Sequence, residues 1–178
     1  MKKILFVFIL GCILSCGNDI IIDNTATKDN SKDIETFNSH VKSIQDKLIK
    51  GFKTEDHDLI MSVFADTIKW NGPNKKLLNE TSPYNEVSEA IKGYLATYEN
   101  HNLKDVGYVG GNIYNSSMKP NSNPNNIRVY GNWHHTHSES GVDVSHKWFA
   151  VARFNEDGKI YRFNDFFDVT GFLQQHEE

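Results

Sequence analysis

Residues 127–168 read IRVYGNWHHTHSESGVDVSHKWFAVARFNEDGKIYRFNDFFD, and the punctuation of this stretch decides the fold. Three segments rich in β-branched and aromatic residues, about 127 to 138, 142 to 154 and 159 to 168, are separated by Ser140-Gly141 and by Asn155-Glu156-Asp157-Gly158. Runs of that composition between turn-forming residues read as strands joined by hairpins. Taken as a two-residue turn, Ser140-Gly141 sets Glu139 opposite Val142, His135 opposite His146 and Trp133 opposite Trp148. A four-residue turn at Asn155 to Gly158 sets Phe154 opposite Lys159 and Trp148 opposite Asp165. Side chains alternate along a strand, so Trp133, His135, His146, Trp148, Tyr161, Phe163, Asp165 and Phe167 then share one face.

Working back toward the N-terminus, a further strand-like segment covers about 106 to 115, and Ser116 to Asn126, rich in Asn, Ser and Pro, reads as an irregular loop. Before that the period changes to helical. Ile34, Phe37, Val41, Ile44 and Leu48 recur at spacings of three and four, with Gly51 near the stop, predicting a helix over roughly 33 to 52. Thr54-Glu55-Asp56 opens a shorter helix through Leu59, Ile60, Val63 and Phe64. Thr67 to Trp70 reads as a strand that Asn71-Gly72-Pro73 breaks. A third helix is signalled by Val87, Ile91, Tyr94, Leu95 and Tyr98. Helices first and an antiparallel meander afterwards predict an α+β domain.

The first residues stand apart from this domain. Met1-Lys2-Lys3 is followed by an apolar run from Ile4 to Leu14, too short to span a membrane, which ends in Ile13-Leu14-Ser15-Cys16. This resembles the lipobox of bacterial lipoproteins. The resemblance implies a signal peptide over 1–15, a lipid such as palmitate on Cys16, and anchoring to a bacterial membrane, the outer membrane first among them, with the domain in the periplasm or at the cell surface. Residues 16–32 read as a polar tether and 33–178 as one domain. The two cysteines are Cys12 and Cys16, so the domain carries neither disulfide nor thiol chemistry. The net charge is −4; without Lys2 and Lys3 the 17 remaining basic residues face 23 acidic ones, a balance of about −6 that excludes a nucleic-acid partner.

Three local patterns carry a second resemblance: Phe64-Ala65-Asp66 through Trp70 to Gly72-Pro73; the helix Val87 to Tyr98; and the hairpin Arg153 to Ile160 continuing through Phe163-Asn164-Asp165. Together they resemble the nuclear transport factor 2-like superfamily, in its SnoaL-like and ketosteroid-isomerase-like branches, over almost all of 33–178. The resemblance implies a cone-shaped α+β barrel, its curved antiparallel sheet closed by N-terminal helices around a pocket. It also implies a possible homodimer through the sheet, and neither a cofactor nor a metal.

Function must then come from the pocket residues. The candidates are Trp70, Trp133, Trp148 and Phe163 as ligand-binding surface, with Asp165, His135 and His146 as an acid-base set. Desolvation would raise the Asp165 pKa, and a protonated His135 or His146 would lower it. Such a set suits proton abstraction next to a carbonyl, as in an isomerase, cyclase or hydratase. The first reading, ahead of this one, is that Asp165 and the histidines are satisfied polar residues of a domain that binds a small, partly apolar ligand without catalysis; the acid-base chemistry is its alternative. The positions a ketosteroid isomerase would use fall near Leu48, at Gly72 and at Ala150, none of which can do its chemistry. His135, His137 and His146 also invite a zinc site, against which stands the distance between neighbours on one strand face. His40, His57, His101 and His176 are expected at the surface, and Phe149, Phe154, Phe166 and Phe167 in the core. Asp168 is expected to cap a C-terminal turn.

Overall fold

The computed structural model describes residues 31–110 and 123–177; the signal peptide, Cys16 and most of the tether and of the Ser116 to Asn126 loop lie outside the described residues. Helix α1 (Ser31–Ser43) continues through a π-helical stretch, Ile44–Ile49, into α2 (Lys50–Lys53). Ile44 and Leu48 are buried, whereas Ile34, at the start of the same apolar stripe, is 59% exposed. Gly51 allows a close crossing with α3 (His57–Met61): a Cβ at this position would stand 2.6 Å from Ile60 Cγ1 and 2.9 Å from Ile60 N. The Asp56 side chain caps α3 by accepting from Leu59 N at 2.9 Å.

The sheet follows: β1 (Phe64–Asn71), then, after α4 (Tyr84–Thr97), β2 (Tyr98–Gly110), β3 (Asn126–His137), β4 (Asp143–Phe154) and β5 (Ile160–Phe166). Spatial order is β1-β5-β4-β3-β2. The last four strands form the antiparallel meander, but β1 lies parallel to β5, so the sheet is mixed. Asp168 accepts from Gly171 N at 3.0 Å and caps α5 (Val169–Gln174), which packs Phe172 across one end. The core lies between the helices and the concave face of the sheet, built from Ile44, Leu48, Ile60, Val87 and Ile91 on one side and Val129, Trp133, Ala150 and Phe163 on the other. Among the described residues no helix is long and apolar enough to cross a membrane.

Both hairpin registers differ from those the sequence suggested. The first turn spans four residues, closed by His137 N to Val142 O and Gly141 N to His137 O, each 2.8 Å, with Gly141 at φ 71°. Trp133 therefore faces His146, His135 faces Val144, and Trp148 faces Gly131. In the second hairpin Phe154 faces Ile160 and, beyond a bulge, Ala150 faces Asp165. Near the sites of interest each pairing is displaced by two residues, an even number, so the inward face is preserved. Tyr161 is the exception: the bulge turns it outward, 40% exposed, and buries Ile160.

Strand β2 begins at Tyr98, well before residue 106. Its ladder is interrupted between Glu99 and Asn102 and again between Lys104 and Gly107, where Asn100 and Asp105 take left-handed backbone conformations at φ 57° and 52°. These bulges turn His101 inward, where it is buried at 2% exposure. His40 is likewise buried, its ring stacked on Phe154 at 4.0 Å and bonded to Asn125 Oδ1 at 3.0 Å. His57 and His176 are half-buried, paired with Ser88 Oγ and Tyr98 Oη respectively. The four histidines expected at the surface are thus all engaged. Phe154 is in the core, but Phe149 and Phe166 stack on each other, and Phe149 on Tyr130, along the outer face of the sheet.

A cavity holding all three tryptophans

A cavity of about 290 Å3 opens between the helices and the concave face of the sheet. The chain has three tryptophans, and Trp70, Trp133 and Trp148 all line this cavity, together with Phe163, His135, His146 and Asp165. The floor comes from β1, β3, β4 and β5, whose inward positions follow from strand alternation. The roof comes from Leu48 and Phe52 of the first helical run and from Val87, Ile91 and Tyr94, which the helical period of α4 places on one stripe.

Asp165 is the most deeply set of the polar groups along β5. Trp70 Nε1 donates to Asp165 Oδ1 at 2.7 Å. The carboxyl does not meet either histidine: His135 and His146 lie further along the sheet, their rings stacked at 5.5 Å on each other, with His146 packed against Phe167 at 4.3 Å and Phe172 at 4.7 Å. The carboxylate-imidazole pair expected from the sequence is therefore two separate polar sites in one cavity.

The imidazole site contains two residues that the sequence reading left out. Tyr94 Oη lies 2.9 Å from His135 Nε2, and His135 Nδ1 lies 2.8 Å from His101 Nδ1. A contact between two ring nitrogens requires one to carry the proton and the other to be bare, so the chain Tyr94, His135, His101 runs in one direction at a time. Tyr94 could have been found from its place on the α4 stripe. His101 could not, because only the β2 bulge aims it inward. His101 Nε2 and His146 Nδ1 are buried without a hydrogen-bond partner among the described residues.

The ring of His137 turns away to stack on His176 at 4.3 Å, and no three metal-ligating side chains among the described residues are grouped to hold an ion. Of the ketosteroid-isomerase positions, Leu48 is apolar roof and Ala150 is fully buried. Ala150 is also the ladder partner of Asp165, so the carboxylate enters from the neighbouring strand, level with a position where the resemblance would place an aspartate.

At the level of sequence, neither a protein-family model nor a curated protein matches the chain. Solved structures do. A proposed polyketide cyclase from Xanthomonas campestris pv. campestris superposes with a TM-score of 0.63 at 11% identity, covering 79% of this chain and 98% of its own. An NTF2-like protein of unknown function from Burkholderia pseudomallei superposes at 0.60 with 17% identity, covering 79% and 98%. TerC, crystallised with polyporic acid, does so at 0.59 with 17% identity, covering 79% and 99%. The fold is that of the nuclear transport factor 2-like proteins.

Within this NTF2-like cone the electrostatics follow from burial. Desolvation pushes the Asp165 carboxyl up from 3.8 to about 7, against the opposing pull of the Trp70 and Trp148 indole N–H groups. Desolvation, reinforced by His101 and His146, pushes His135 down from 6.5 to about 3. His146 falls to about 4 for the same first cause. His101 is lowered and Tyr94 raised, each chiefly by burial. Both cavity histidines are therefore neutral at physiological pH and do not depress Asp165, contrary to one of the two effects weighed from sequence. The NTF2-like cavity thus presents an apolar aromatic wall, a carboxyl that ionises near neutrality, and neutral imidazole and phenol groups as hydrogen-bond donors and acceptors.

Proposed function

We propose that this chain is a lipid-anchored, SnoaL-like binding domain that holds a small, partly apolar molecule in its cone. The observation that carries the reading is the convergence of all three tryptophans with a single carboxyl on one cavity, the mixture of broad apolar wall and few polar groups typical of small-molecule sites. The neighbour crystallised with polyporic acid supports it by fold. The test is a thermal-shift screen of the full chain against polyporic acid and other flat aromatic and cyclic compounds. A binder is expected to raise Tm in wild type and to lose most of that effect in Trp148→Ala, because removing one indole takes away a large share of the contact surface. Stabilisation that persists unchanged in Trp148→Ala would place the binder elsewhere.

The anchoring half rests on Ile13-Leu14-Ser15-Cys16. Cells grown with a clickable palmitate analogue are expected to label the wild-type chain and not Cys16→Ser; equal labelling of both would remove Cys16 from the account. The outer-face strip of Tyr130, Phe149 and Phe166 is suited to a second copy of the chain, which sedimentation would reveal as a dimer mass and refute as a monomer.

A catalytic reading is favoured by one observation, the burial of the Asp165 carboxyl in the cavity wall, which raises its pKa to about 7, where a general base is most effective. Asp165 would take a proton from a carbon next to a carbonyl, and the developing oxygen charge would accept hydrogen bonds from Tyr94 or from a neutral His135 or His146. Turnover of a bound compound that is lost in Asp165→Asn would establish it; binding without turnover would leave the cone a binding site.

A further inference from the structure

We propose that the molecule held in the cone is a lipophilic ammonium, with Asp165 as its counter-ion and the neighbouring aromatic rings as its cage. The inference rests on the binding reading and names the ligand's charge. Asp165 is 8% exposed and, among the described residues, no lysine or arginine lines the cavity and no ion pair reaches the carboxylate. A buried carboxylate without a cation is costly unless something supplies one. What the protein does supply is the Trp70 indole N–H, donated to Oδ1 at 2.7 Å, and, among the residues lining the cavity, no positive charge. Trp70, which turns its N–H edge to the carboxyl, Trp148 and Phe163 line the cavity beside it, and aromatic ring faces are what proteins use to hold quaternary and tertiary ammonium groups.

Other ligand charges fit the cavity less well. An anion would meet Asp165 with no cation to offset it. A neutral compound would fill the aromatic space and leave the carboxyl either protonated or unpaired. A lipophilic cation satisfies both the carboxylate and the rings, and its apolar part fills the roof formed by Leu48, Phe52 and Ile91.

The charge leaves a pH signature. A permanent cation binds the ionised carboxylate, so its apparent affinity should rise about tenfold per pH unit below the Asp165 midpoint and level off above it. The other titratable groups of the cavity do not disturb this window: Tyr94 from α4 is raised, His135 from β3 and His146 from β4 are neutral above about pH 4, and the His134 ring belongs to the opposite face of β3.

The experiment is a tryptophan-fluorescence titration of the full chain in a neutral detergent, from pH 5 to 9, with benzyltrimethylammonium and with its uncharged isostere neopentylbenzene. The expected result is that the ammonium binds at least about tenfold more tightly than the isostere at pH 8, that this preference shrinks toward pH 5, and that Asp165→Asn binds both equally at every pH. Equal or tighter binding of the isostere by wild type at pH 8 overturns the charge assignment while leaving the cone a binding site. No response to either compound, together with no binder in the wider thermal-shift screen, overturns the binding reading with it. Because the decisive comparison is between two ligands on the wild-type chain, it holds even if Asp165→Asn folds poorly.

Discussion

Asp165→Asn is expected to stabilise the folded domain by roughly 2–4 kcal/mol at pH 8, a gain that shrinks toward zero near pH 4. In the native chain the carboxyl is raised from 3.8 to about 7 by burial, so between those values the unfolded state is ionised and the folded state is protonated. The folded state binds more protons there, and stability falls as pH rises. The contribution of the neutral carboxyl is fully present below 3.8 and lost as pH rises through about 7. Asparagine keeps an acceptor for Trp70 Nε1 and has nothing to ionise, so the variant should escape the loss. Urea denaturation at pH 5, 6 and 8 checks it. A variant less stable than wild type at pH 8 would mean that the folded chain compensates the ionised carboxylate and that burial does not raise its pKa. The same substitution removes the preference for a cation while adding stability, as expected where a costly buried group is kept for function.

The second large effect belongs to His146. Its ring is held neutral by burial, with a midpoint near 4 in place of 6.5, and its Nδ1 is unpartnered among the described residues. A lowered imidazole pKa works in the opposite sense to Asp165: the unfolded chain takes up a proton that the folded one refuses, so stability is present above 6.5 and lost as pH falls toward 4. His146→Phe places an apolar ring between Phe167 and Phe172 and removes both the titration and the orphaned nitrogen. It is expected to stabilise by roughly 2–4 kcal/mol at pH 5, with a smaller part of the gain persisting at pH 8. Thermal melts of both proteins at the two pH values check this. An equal gain at pH 5 and pH 8 would show that His146 titrates normally in the folded chain.

The inward face of the sheet was legible in the sequence, although neither hairpin register was. Ser140-Gly141 reads as a two-residue turn and is half of a four-residue one, yet Trp133, His135, Trp148 and Asp165 all face inward because a displacement of two returns every side chain to its own side. Tyr161 shows what an odd displacement does, since one bulge beside Phe154 moved it to solvent. His101 was out of reach because YENHNLKD alternates poorly and its inward turn depends on left-handed Asn100 and Asp105. Composition alone puts Phe149 and Phe166 in the core, whereas alternation from Trp148 and Asp165 places them on the opposite face. The parallel pairing of β1 with β5 is a contact between distant segments, and no local pattern at Thr67 to Trp70 encodes it.

The central claim is that the cone itself is the binding site, and the placement of all three tryptophans in its wall allows a direct measurement. Chain labelled with 5-fluorotryptophan should give three fluorine resonances, assigned by Trp70→Phe, Trp133→Phe and Trp148→Phe. Adding a compound that raises Tm is expected to shift the Trp70 and Trp148 resonances together, with Trp133 following according to the compound's length. A compound that raises Tm while all three resonances stay in place would contradict the account.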